Sequence, residues 1–69
     1  MEIIFSKQLK QLRTEVGLTQ AQLAERLNST QRNVSYLEAG KVEPDLDMLW
    51  RIADFFDVSI DYLIGRKDV

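Results

Sequence analysis

The stretch Thr19–Gly40, TQAQLAERLNSTQRNVSYLEAG, decides how this chain folds. Thr19 is a good N-cap, because its hydroxyl can accept a bond from an orphaned backbone N–H, and Gln22 three residues on completes a capping box. Leu18 and Leu23 flank that cap as a hydrophobic staple. The spacing of Leu23, Ala24 and Leu27 predicts a helix from Gln20, which stops at Asn28-Ser29-Thr30. Asn28 is one of the few non-glycine residues that enters the left-handed region without strain. A second helix starts with Thr30 as its cap and turns Val34 and Leu37 inward. Gly40 falls where a left-handed C-terminal stop belongs.

This pattern leaves Gln31, Arg32, Ser35 and Tyr36 off the aliphatic stripe, so the second helix presents hydrogen-bonding groups outward. Polar residues on a helix surface need no explanation by themselves, and a merely solvated face is the plain alternative.

The segment Gln20–Ala39 resembles the helix-turn-helix of the phage-repressor and Cro-type (XRE-like) family. Leu23, Ala24, Leu27, Val34 and Leu37 occupy the positions where that family keeps apolar residues. Ala24 has a physical reason, since a larger side chain would push two closely crossing helices apart. The segments LRTEVGLTQAQLAERL, VSYLEAG and IADFFDVSIDYLIG are similar to family segments in the same order, so the resemblance extends over nearly the whole chain. Asn28 departs from it, standing where the family's turn usually carries Gly.

The resemblance implies an all-α fold, a compact five-helix lambda-repressor-like domain spanning residues 1–69. It also implies sequence-specific binding of double-stranded DNA by a small transcriptional regulator, a repressor by preference. Its recognition helix presents N-terminal residues to base edges in the major groove, where Gln pairs bidentately with adenine and Arg with guanine. Matched by position, Gln31, Arg32 and Tyr36 are the expected base contacts, with Ser35 as a further candidate. Gln20, Asn33 and Lys41 are the expected phosphate contacts, ahead of Lys10 and Arg26. Gln20 stands at a helix N-terminus, where the dipole favours an anion. Arg13 is expected to pair with Glu38 and so tie the first helix to the third. A homodimer on a palindromic operator is expected, because two-fold pairing sets recognition helices about 34 Å apart, one turn of DNA.

The net charge of -2 is unusual for a DNA binder, but the charge is segregated. Met1–Lys41 carries six basic and four acidic residues, and the remainder three basic and seven acidic, giving +2 and -4. Phosphates respond to the local field within about a Debye length, roughly 10 Å, so the positive half can still bind them.

Elsewhere the pattern is helical throughout. Phe5, Leu9, Leu12 and Val16 form one stripe of a first helix over 3–16, ended by Gly17. Asp45 caps a fourth helix reaching Phe56, with Leu46, Leu49, Ala53 and Phe56 as its core stripe and Ile52 beside it. Met48, Trp50 and Phe55 widen its apolar arc beyond half the circumference, more than one packing face needs. A second subunit could cover the excess, through Trp50, Phe55 and Tyr62 on the edge of this helix, the fifth helix and the tail. Ser59 caps the short fifth helix, Asp61 lies in its first turn, Val58 and Leu63 repeat the staple, and Gly65 stops it. Residues 66–69 are expected to fray.

With no Cys there is no disulfide or thiolate metal site, and with no His the usual general base is missing, so no catalytic residue, metal or cofactor is expected. Asp45 with Asp47, or Asp54 with Asp57, are better explained as caps and solvated charges. No apolar run approaches the roughly 20 residues of a membrane span, and Met1–Phe5 lacks the basic region of a secretory signal, which favours a soluble cytoplasmic protein with no small-molecule partner evident. The rival reading is a protein-interaction module of the same fold, such as an antitoxin or a regulator subunit.

Overall fold

The computed structural model describes residues 4–66. Five helices follow one another, α1 (Phe5–Glu15), α2 (Gln20–Arg26), α3 (Gln31–Ala39), α4 (Leu46–Phe56) and α5 (Ile60–Ile64). Ile3, the expected start of α1, lies outside the described residues, as do 67–69 of the tail.

Local chemistry sets most boundaries. Thr19 accepts from the Gln22 backbone N–H at 3.1 Å while the Gln22 side chain accepts from the Thr19 N–H at 2.9 Å, a complete capping box. Thr30, Asp45 and Ser59 cap α3, α4 and α5 by accepting from the N–H three residues on, at 3.1, 2.8 and 3.0 Å. Each such cap contributes about 1 kcal/mol.

All five helices close at the other end in the same way. A residue in the left-handed region donates back to the carbonyl three before it, and the next N–H reaches the carbonyl five before itself, the Schellman closure. Glycine fills that position after α1, α3 and α5, but Asn28 (φ 55°) does so after α2 and Asp57 (φ 56°) after α4. Asn28 is therefore a working substitute for glycine at the turn. Asp57 was not foreseen, because nothing in FFDVS marks an Asp as the residue that adopts this conformation.

The core joins α1 through Phe5, Leu9 and Leu12, α2 through Leu23, Ala24 and its capping Leu27, α3 through Val34 and Leu37, α4 through Ile52 and α5 through Leu63. Leu18, Met48, Leu49, Ala53, Phe56, Val58 and Tyr62 pack around it. Two expected core positions are corrected. Val16 points along the α1 stripe but is 56% exposed, because it falls at the helix end with no neighbour lying over it. Leu46 is 83% exposed, and Ile52, expected beside the α4 stripe, is the residue fully enclosed. Periodicity gives a direction on a helix but not the position of its neighbours, and where the apolar arc covers more than half the circumference it does not single out one buried stripe.

Candidate nucleic-acid interface

The α2–turn–α3 unit owes its rigidity to both its faces. Its inner side is aliphatic, with Leu23, Leu27, Val34 and Leu37 at most 2% exposed. Behind it lies a polar clamp. Glu38 on α3 receives Arg13 of α1 through two donors, Nε at 2.6 Å and one terminal nitrogen at 3.0 Å, while the other terminal nitrogen donates to the Leu18 carbonyl at 2.8 Å. Gln20 on α2 donates its side-chain amide to the same carboxylate at 3.1 Å. Three helices thus meet at one carboxylate, whose side chain is only 4% exposed, and Arg13 ties in the loop between two of them. The hydrogen bond to Glu38 raises the Arg13 pKa further, against the smaller effect of burial. Arg13 therefore keeps its charge, and its stabilising contribution is fully present below its ordinary unfolded value and lost only in strong alkali.

The outer side of α3 carries the candidate contacts. Gln31 and Arg32 are exposed in its first turn, and Ser35 and Tyr36 are half-buried. The Arg32 Nε donates to the Tyr36 hydroxyl at 3.1 Å, and the Arg32 guanidinium and the Lys41 ammonium each lie 5.6 Å from the Tyr36 ring centre. One aromatic ring thus stands between two cations, one from the first turn of α3 and one from just beyond its end, in cation–π range. Asn33 instead turns inward to the loop, donating its amide to the Ser29 hydroxyl at 3.0 Å. Gln20 likewise spends its amide on Glu38, which aligns α2 with α3. Lys10 and Arg26 are exposed apart from this cluster.

The residues considered for a subunit contact do not converge. Trp50 is 70% exposed and Phe55 37%, but five positions apart on α4 they lie on different sides of the helix. Trp50 lines a groove with Val58 and Ile60, and Phe55 one with Arg26 and Asn28. Tyr62 packs against the core, and its carbonyl accepts from the Gln8 side chain at 3.2 Å.

Arg51 is a structural residue that sequence reading missed. It donates to the Leu27 carbonyl at the end of α2 at 3.1 Å and pairs with Asp47 at 3.0 Å. The Asp47/Arg51 spacing of four was legible as a helical ion pair, but the bond to α2 crosses 24 positions and carries no local signal. Among the described residues no group of three or more acidic side chains is arranged to hold a metal, and no helix is long and apolar enough to cross a membrane.

Two short helices, α2 and α3, joined by a four-residue turn and anchored by their aliphatic sides, with the polar first turn of the second projecting outward, form a helix-turn-helix unit. Comparison with known proteins gives the family. The helix-turn-helix family model matches residues 9–63, and the chain belongs to that family, in its phage-repressor and Cro-type branch. It is 40% identical over 63 residues to the HTH-type transcriptional regulator ImmR of Bacillus subtilis (strain 168), covering 91% of this chain and 50% of ImmR. The crystal structure of a transcriptional regulator from Listeria innocua is similar with a TM-score of 0.89 at 40% identity, over 94% of this chain and 61% of that one. Hydroxypropylphosphonic acid epoxidase of S. wedmorenis also contains the fold, with a TM-score of 0.78 at 36% identity over 87% of this chain and 32% of the enzyme. The chain spans half the length of ImmR and a third of the epoxidase, so the domain occurs within longer proteins of different activity.

Proposed function

We propose that this chain binds double-stranded DNA sequence-specifically, as the reading unit of a cytoplasmic transcriptional regulator that acts as a repressor, with α3 in the major groove. The observation that carries this reading is the division of α3: Val34 and Leu37 are at most 1% exposed, while Gln31 and Arg32 project from its first turn. A helix held on one side by its own core can enter a groove without uncovering that core. Gln31 reads a base edge. Arg32, held by Tyr36 through its Nε, keeps its two terminal nitrogens for a guanine or a phosphate. Lys41 is the expected phosphate contact, and Ser35 a further contact to a base.

The geometry favours a different role for Gln20 and Asn33, whose amides are bound to Glu38 and Ser29. Their contribution to affinity is to hold the motif in shape. Two copies bind a two-fold symmetric operator with their α3 helices about 34 Å apart.

Titration of matched and scrambled duplexes tests the reading. Gln31→Ala is expected to cost about 1–3 kcal/mol on the matched site and to relax its sequence preference, whereas Lys41→Ala weakens both duplexes alike and lowers the salt slope by about one. Wild-type preference in Gln31→Ala excludes that residue as a reader. Equal affinity of the unaltered chain for matched and scrambled DNA at physiological salt overturns the proposal.

A further inference from the structure

We propose that the Leu46–Trp50 edge of α4 docks a basic, amphipathic segment of another protein. Leu46 and Trp50 stand one turn apart and are 83% and 70% exposed, the two most exposed large apolar side chains among the described residues. Trp50, one turn on from Leu46, borders a shallow, open groove lined by Ala53, Asp54, Asp57, Val58 and Ile60. An apolar floor with a polar rim is the composition of a recognition site rather than of a solvated helix.

Charge chooses the occupant. Asp47 is paired with Arg51 at 3.0 Å, but Asp54 and Asp57, on the rim, have no ion-pair partner among the described residues. A second copy would bring the same net negative edge, Asp47, Asp54 and Asp57 against the single Arg51, so two copies repel one another here. Nucleic acid and anionic lipid are repelled by the same carboxylates. A protein segment with an aliphatic anchor for the groove and Lys or Arg beside it meets both requirements.

Trp50 is the sole tryptophan of the chain and reports its own covering. The probe is a Leu/Lys amphipathic helical peptide of about 18 residues, long enough to form an isolated helix. Its counterpart has Glu in place of every Lys. The Leu/Lys peptide is expected to shift Trp50 emission to the blue saturably, and the Leu/Glu peptide to leave it unchanged. Asp54→Asn with Asp57→Asn should weaken binding about tenfold, Asn being able to hold the left-handed conformation at 57. Leu46→Ser should weaken it by several-fold. As a control of equal charge change, Glu15→Gln with Glu25→Gln should bind as the unaltered chain does. The proposal is overturned by an equal shift with both peptides, by equal loss in the control variant, or by unchanged binding in the Asp54/Asp57 variant. A blue shift produced by raising protein concentration alone also overturns it, since a second copy is then the occupant.

Discussion

The helix-turn-helix and the α4–α5 pair solve the same packing problem with opposite surfaces. In α2 and α3 the buried side chains are aliphatic and the outward ones polar, so each helix has one inside and one outside. α4 is apolar on both: Ile52 is enclosed while Leu46 and Trp50 remain largely exposed. The first unit is closed by residues near in sequence and by the Glu38 clamp; the second leaves apolar surface that the domain's own core does not use. The contrast teaches that two helices can bury a face equally well and still differ in what they leave outside, polar groups on α3 and apolar area on α4.

The two regions can be set against each other by substitution. The largest effect is expected inside the first. Leu37→Ala deletes a fully enclosed side chain and should cost about 2–5 kcal/mol in urea unfolding, a large fraction of the stability of so small a domain. Leu46→Ala on α4, the same chemical change at an exposed position, should stay within about 0.5 kcal/mol. Similar losses at both positions would break the contrast.

Next comes the clamp. Glu38→Ala leaves the mostly enclosed Arg13 with only the Leu18 carbonyl and should cost about 3 kcal/mol, measured in the same way. Arg13→Met combined with Glu38→Leu should recover much of that loss, because it removes both charges. A double variant no more stable than Glu38→Ala alone would mean that the clamp's value lies in fixing α1, α2 and α3 against one another rather than in avoiding an unpaired charge.

Thr30→Ala should cost about 1 kcal/mol by removing the α3 cap, without altering sequence preference on DNA. The smallest effect sharpens the contrast on the outer surface. Tyr36→Phe keeps the ring between Arg32 and Lys41 but removes the hydroxyl that accepts from Arg32, and should leave unfolding unchanged while weakening DNA by about 0.5–1 kcal/mol. An unchanged DNA titration would show that Tyr36 does not position Arg32.

Much of this domain follows from interactions within one helical turn, and those are legible in the sequence. Thr19 with Gln22, Thr30, Asp45 and Ser59 are caps because a side-chain oxygen lies three residues before an orphan N–H, a distance fixed by the helix itself. The stripes of α2 and α3 are unambiguous because polar residues fill the other side. What only tertiary structure decided lies farther apart along the chain or depends on what a helix meets. Gln20 turned to Glu38 and not outward, Arg51 reached the end of α2, Val16 projected past the core, and within the broad apolar arc of α4 the neighbours chose Ile52 over Leu46. A local pattern fixes conformation through bonds a few residues long, but which of two similar faces is buried depends on elements that meet only when the chain is folded.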